Sequence, residues 1–396
     1  MTFRQLLRLE FGAIFSDKSI IMTIFAGVVF YSFLYPLPYL EQVANKQDIV
    51  VVDHDNSSLS RLIIRHSDAS PGVHIVAKVD SIKEAKKWIN NKKAYGLLVI
   101  PRDFRRDLLL GKGATLSYAG DASYFLVYSA IAKSLTQVGM DTGKKLQHLS
   151  LLAKGGNNKV ASKTLNSITL NSLPAFNHSL GYPSYLMPGL FLLILHQTLL
   201  IALSILGAGQ WNTNTYWKTI SPLTLIMVRC CAFSLIYSAL GIYYIGYCYY
   251  MNNVNLLASF PQVVLLMLPF LLATIMLGIV LSTFFERRDR PTQVFLLVSM
   301  PIIFLSGFVW PLILIPAPLV YISQIIPAIP AIKSMLMLNQ MGAPWSSIMP
   351  LWLQLWGLTF VFFGLSLYFI RRRQKTIPMQ LKKLACVVKK NTNGIN

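Results

Sequence analysis

The chain has 396 residues, 54% of them hydrophobic and 13% charged, whereas a soluble domain averages about 25% charged; this composition excludes a water-soluble globular protein and reads as an integral membrane protein. The net charge of +21 comes from 36 Lys and Arg against 15 acids, but 19 of those bases and 11 of those acids fall within residues 41–184, and the other bases flank apolar runs. A nucleic-acid surface would be concentrated and interleaved with aromatics, so nucleic acid is excluded as a partner.

Residues 1–19 precede the first apolar run. A helix through Phe3, Leu7, Phe11 and Ile14 would carry an apolar stripe beside Arg4 and Arg8, with Glu10 set inside it. Two readings fit: a helix lying in the membrane interface, or a solvated leader. Residues 20–39 form the first span, closing on Tyr31, Tyr35, Pro36, Pro38 and Tyr39, and the run is too long for a cleavable signal.

Composition then changes. Over 41–184, short β-branched runs at 49–52, 73–79, 94–100 and 115–119 alternate with helical stretches at 57–67, 82–91 and 103–110 and a long one over 121–153. Ser81 with Glu84 reads as a capping box and Asp103 as an N-cap. The alternation predicts a small α/β domain inserted between spans one and two, ending in a Gly, Asn, Ser and Lys linker at 154–171. Asp53, His54 and Asp55 fit either a metal or acid–base cluster or a polar strand-to-helix loop. Gly111-Lys112-Gly113 lacks the spacing of a phosphate loop, and Cys230, Cys231, Cys248 and Cys386 have neither disulfide nor zinc spacing.

Further spans follow at 185–206, 223–247, 260–285, 292–310 and 348–370. With the N-terminus inside, Arg4, Arg8, Lys18, Lys218, Arg287, Arg288, Arg290 and Arg371-Arg372-Arg373 are cytoplasmic, and the loops 249–259 and 311–347 face outward with Lys333 as their one basic residue. Between the last two spans the chain is apolar but broken at Pro311, Pro316, Pro318, Pro327 and Pro330, each of which removes a backbone donor. It reads as short re-entrant helices over 311–345, or as a loop lying on the membrane.

Ser306-Gly307-Phe308, then Pro311, Pro316 and the turn from Pro327 to Pro330 ahead of a final span, resembles the end of ABC type-2 transporter permeases. Val51-Val52-Asp53 with Ser58-Leu59-Ser60, and Ile100-Pro101-Arg102-Asp103-Phe104 leading to Gly111, is similar to the extracytoplasmic domain of their long-loop subgroup. The resemblance implies a bacterial exporter membrane subunit with an N-terminal elbow helix, six spans, re-entrant helices between the last two, and a separate ATPase. Loop 207–222, with Trp211, Tyr216, Trp217, Ser221 and Pro222, then stands where the coupling helix belongs. There Gln210, Asn212, Thr213, Asn214 and Thr215 replace the usual acids, a departure that suits one half of a heterodimer. The loop aromatics alternatively anchor the loop in lipid.

Within the spans, His196 and Gln197 are the conspicuous polar pair. An intramembrane ionisable residue is a functional-site candidate, and a neutral histidine hydrogen-bonded between helices is the competing account. Arg229, near a span end, reads as snorkelling.

The sequence is thus read as a polytopic α-helical membrane protein with a 1–40 interfacial helix and first span, a 41–184 extracytoplasmic α/β domain, spans over 185–370 and a basic cytoplasmic tail over 371–396. No motif binds nucleotide, so the chain is expected to be no enzyme itself: ATP is bound by a partner ATPase, and this subunit needs no cofactor or metal. The expected partners are that ATPase, a second permease copy, a periplasmic adaptor and lipid, in the inner membrane with both termini cytoplasmic. Two rivals remain: a receptor or scaffold whose outer domain binds a ligand, disfavoured by the proline-broken segment, and a secondary transporter, disfavoured by the lack of inverted repeats and of buried acids in the spans.

Overall fold

The structure is a computed structural model and describes residues 1–39, 45–153, 155, 157–165, 175–177, 181–211, 213 and 215–375. The chain divides into two compact units, Met1–Leu40 with Pro174–Asn396, and Glu41–Leu173.

The chain opens with α1 (Phe3–Phe15) and α2 (Lys18–Tyr39). Thr2 starts α1 with a reciprocal capping box to Gln5, which satisfies two of the otherwise orphaned amide donors. Its buried edge is Leu6, Glu10 and Ile14, four residues apart on one helix face, while Phe3 and Phe15 are exposed. Of the apolar stripe through Phe3, Leu7, Phe11 and Ile14, Ile14 is buried and Leu7 and Phe11 pack partly against the core, so only Phe3 stands clear of the docked side.

In the second unit come β1 (Gln47–Asp53), α3 (Ser58–Asp68), β2 (Val73–Val79), α4 (Ile82–Asn90), β3 (Gly96–Ile100), α5 (Phe104–Leu109), β4 (Ser117–Gly120), α6 (Phe125–Ala153) and α7 (Asn158–Leu165). The sheet order is β2-β1-β3-β4, with β1 parallel to both neighbours and β4 antiparallel to β3. Central β1 is buried on both faces, as its unbroken Ile49-Val50-Val51-Val52 run requires. Ile49 and Val51 pack with Ile63, Ile131 and Leu135, and Val50 and Val52 pack with Ala85 on the opposite face.

The polar turn after β1 is structural. Asp53 accepts from the Asp55 and Asn56 amides at 3.1 and 2.9 Å, from the Ser60 hydroxyl at 2.9 Å and from Lys78 at 3.1 Å. Burial alone would raise the carboxyl, but these hydrogen bonds and the Lys78 charge hold it below the usual range. Asp55 accepts from the Arg105 amide at 3.3 Å and so caps α5, whereas Asp103 has φ 58° and no capping bond; the capping role moves from Asp103 to Asp55. Ser81 accepts from the Glu84 amide at 3.2 Å. Among the described residues no group of His, Cys, Asp and Glu could hold a metal ion.

The first unit resumes with α8 (Tyr182–Trp211), α9 (Pro222–Met251), α10 (Phe260–Ser282), α11 (Arg290–Leu305), α12 (Ala317–Ser323), α13 (Ala328–Asn339) and α14 (Trp345–Lys375). Among the described residues five helices, α2, α8, α9, α10 and α14, are long and apolar enough to cross a membrane, or six if α12 and α13, bent by 92°, count as one. Helix α8 is buried nearly all round, as an apolar helix without a polar face must be.

Two parallel helices, α10 and α14, are joined by donors spaced about two turns apart. Trp352 Nε1 donates to Leu265 O at 2.9 Å, Thr359 to Pro269 O at 3.4 Å, Ser366 to Met276 O at 3.0 Å and Arg373 Nε to Thr283 O at 2.9 Å. Pro269 has no N–H to give to Leu265 O, four residues back, so the Trp352 indole satisfies a carbonyl that proline leaves open.

Candidate functional site

Two places in the helical unit gather polar side chains that an apolar bundle would leave out. The first lies where α1, the end of α8, the 213–221 loop and α9 meet. Glu10 and Arg229 are both 0% exposed, and Arg229 Nε donates to Glu10 Oε1 at 2.9 Å. The Tyr216 hydroxyl donates to Glu10 Oε2, Gln210 Nε2 donates to the Tyr216 oxygen at 2.9 Å, and Arg229 Nη2 donates to Gln210 Oε1. The four side chains close a ring.

Arg229 also lies over the Trp211 indole, 5.1 Å from its centroid, a cation–π contact strengthened by desolvation. Its Nη1 has no partner. Burial, with the Glu10 charge beside it, raises the Tyr216 phenol well above its ordinary value, so the hydroxyl keeps the proton it donates. Two charges taken out of water cost several kcal/mol each and persist only where hydrogen bonds offset that cost; the ring supplies such bonds to both Glu10 oxygens and to Arg229 Nε and Nη2.

The same loop is held from other sides. Trp211 Nε1 donates to Ser282 O at 3.0 Å, and its ring meets Trp217 edge-on at 4.9 Å. Gln374, in the last turn of α14, donates to Trp217 O at 2.8 Å and to Ile220 O at 3.0 Å. Arg288 pairs with Asp17 between α1 and α2.

The second place is a cavity of about 220 Å³ walled by α8, α10, α11, α14 and the bend before α13. Leu193, Leu200, Phe295, Ile302 and Phe362 make it almost wholly apolar, and His196, Gln197 and Ser299 are its lining residues with polar side chains. His196 is 1% exposed and its Nε2 has no partner among the described residues, while its ring stacks on Phe270 at 6.4 Å. A buried imidazole nitrogen without a partner inside an apolar bundle costs free energy comparable to a lost hydrogen bond.

Beyond the cavity-lining residues α11 stops abruptly. Ser306 donates its hydroxyl to Ile303 O at 2.5 Å, and Gly307 then takes φ 84°, the left-handed conformation that ends a helix and that glycine adopts freely. Phe308, buried, seats on Gly189 of α8, where an added Cβ would lie 2.9 Å from the ring.

Residues 18–368 match the family described as "ABC-2 family transporter protein". The chain belongs to the ABC-2 transporter family. It is therefore a multi-pass membrane permease component of an ABC transporter, not itself catalytic, and the family implies an ATPase partner. A crystallised domain ascribed to an ABC type-2 transporter of Thermotoga maritima MSB8 is 26% identical, covering 23% of this chain and 68% of that one, with a TM-score of 0.20. Among curated proteins none matches significantly.

Several site expectations for this permease change. Trp211 and Trp217, assigned to the ATPase-coupling loop, are 4% and 0% exposed and face inward; among the described residues of 211–222, Thr215, Thr219 and Ser221 are exposed. Asn212 and Asn214, and the tail from Thr376 with Cys386, lie outside the described residues. Ser221 caps α9 by accepting from the Thr224 amide at 3.1 Å, with Pro222 at the first helical position.

Arg229 does not snorkel, since its guanidinium is enclosed with Glu10. The apolar run 292–310 is cut to Arg290–Leu305 by Gly307, so Pro311 follows the helix end and does not cause it. Gly307 faces Leu312 of the following turn and no neighbouring helix; the close approaches between helices are those of α8 and α10, at Gly207 against Ser282 and at Gly278 against Leu203. Pro316 precedes α12, Pro327 precedes α13, and Pro330 sits in the first turn of α13, where a missing N–H costs nothing. Glu10 was the missed residue; its signal was a lone acid within an apolar stripe.

Proposed function

We propose that this chain is the membrane subunit of an ATP-driven exporter that takes an apolar or amphiphilic small molecule from the cytoplasm or inner leaflet and releases it outward. The observation that carries this is the His196 cavity, an almost wholly apolar space among the membrane helices lined in part by the His196 ring, whose Nε2 is itself buried. A rigid anchor has no use for an apolar cavity among its helices, whereas a route for an apolar molecule needs one.

In this reading α11 is the fifth of six spans, α12 and α13 are re-entrant, and α1 lies in the interface. Both termini are cytoplasmic, supported by the placement of Lys and Arg. The α/β unit lies outside the inner membrane, where it meets a periplasmic adaptor. A second permease copy completes the pathway. ATP is bound by the separate ATPase, which grips loop 207–222 through its exposed residues.

The test is ATP-dependent export from proteoliposomes containing this chain and its co-purified ATPase. His196→Leu, which removes the imidazole from the lining, and Ile302→Trp, which fills the cavity, should each lower export at least about tenfold, the effect of about 1.4 kcal/mol, while insertion and ATPase binding persist. Export at the wild-type rate in both variants sinks the transport role of the cavity. Impermeant maleimide should label single cysteines at Ser117 and Ser259 from outside and spare one at Lys375; the reverse pattern overturns the orientation.

A further inference from the structure

The ring at Glu10 joins elements that apolar packing alone would let slide. Glu10 belongs to α1, Gln210 to the end of α8, Tyr216 to the loop and Arg229 to α9, and the two Glu10 oxygens are divided between Arg229 and Tyr216. Each of these bonds fixes a distance and a direction. A buried ion pair is seldom a gain in stability over apolar side chains of the same volume, and its best-attested use is to fix register. The loop bearing Tyr216 also exposes Thr215, Thr219 and Ser221, so an outside partner can reach it.

We propose that Glu10 is a positioning residue that makes α1 and the 213–221 loop move as one body, so that displacement of the loop by the ATPase reaches α9 through the buried Glu10–Arg229 pair. This rests on the ATPase-driven reading above. The N-terminal helix is then a working part of the drive, tied to the loop by Tyr216 and to the span by Arg229. The Gln374 bonds to Trp217 O and Ile220 O give the loop a second hold on α14, so one displacement is shared between α9 and α14.

The experiment uses the complex of this chain with its ATPase, spin-labelled at Arg8→Cys on α1 and Thr219→Cys in the loop, both exposed positions. A third label at Phe284→Cys, beyond α10, serves as the reference. On adding ATP the Thr219-to-Phe284 distance should change and the Arg8-to-Thr219 distance should not. The variant is Glu10→Met with Arg229→Met, an apolar replacement expected to keep near wild-type thermal stability. In it the Arg8-to-Thr219 distance should become nucleotide-dependent, and export per ATP hydrolysed should fall about fivefold or more, the low end of allosteric coupling.

A structural role alone predicts that a stable double variant exports at the wild-type ratio, and that result overturns the proposal. If the double variant does not fold, the unsubstituted pair still decides: α1 left behind by a moving loop overturns the proposal alone. A loop that never moves with ATP overturns the ATPase reading and this inference with it.

Discussion

Gly307→Ala tests what ends α11. The glycine holds φ 84°, and a Cβ built there lies 2.7 Å from Leu312 Cγ and 3.0 Å from its Cδ1. A residue with a side chain loses about 1–2 kcal/mol in the left-handed region, and overpacking adds about 1–3 kcal/mol. Leu312 is only half-buried in a short turn, so it can give way, and a total near 2–3 kcal/mol is expected. The assay is denaturant unfolding of the purified chain beside Gly364→Ala, where nothing lies within 4 Å of the added carbon. That control should be neutral or gain up to about 1 kcal/mol from helix propensity. Asn tolerates the left-handed region better than Ala does, so Gly307→Asn should recover the conformational share while retaining the collision. Equal stability of Gly307→Ala and Gly364→Ala would refute the view that a positive-φ stop ends this helix.

Other substitutions probe separate contacts. Trp352→Phe leaves Leu265 O without its indole donor and should cost about 1–2 kcal/mol; in a Pro269→Ala background, which restores a backbone donor, that cost should shrink, and a double-mutant cycle with no coupling would refute the compensation. Gly189→Val places methyl groups where the Phe308 ring lies 2.9 Å from any Cβ, and should lower stability by about 1–3 kcal/mol as read by thermal melting, with Phe308→Ala relieving part of it. Asp53 has a lowered folded-state pKa, so its stabilisation is complete above the unfolded carboxylate value of about 4 and is lost as pH falls through the lower folded value. Asp53→Asn should therefore speed hydrogen exchange in β1 and α3 at neutral pH and flatten its rise below pH ~4, whereas unchanged exchange at neutral pH would make the Asp53 bonds dispensable.

Local pattern accounts for part of this structure, and the parts it misses share a cause. Apolar length finds α2, α8, α9, α10 and α14, because crossing a bilayer is a property of one stretch of chain. The β-branched run at 49–52 finds the central strand, because burial on two faces is written in consecutive residues. Length cannot see that Gly307 turns left-handed inside an apolar run, since the conformation depends on Leu312 and Phe308 finding their seats afterwards. Composition likewise cannot tell an aromatic surface from an aromatic interior, so Trp211 and Trp217 read as exposed until Ser282 O and the Thr213 carbonyl, 2.9 Å from Trp217 Nε1, are seen to take their indole protons.

Glu10 and Arg229 are the sharpest instance, because each has a sufficient local explanation. An acid in a leader helix reads as a solvated flaw in a stripe, and an arginine at a span end reads as snorkelling. What distinguishes the pair is that each offsets part of the other's desolvation penalty, a relation between positions 219 residues apart that no helical period encodes. Two opposite charges stranded near the same ends of helices predicted to lie on one side of a membrane are, however, jointly improbable as independent accidents, since each alone would cost several kcal/mol to bury. Pairing such stranded charges before assigning either to solvent would bring α1 onto α9 from sequence alone, and with it Tyr216, a neutral donor in the loop placed between them.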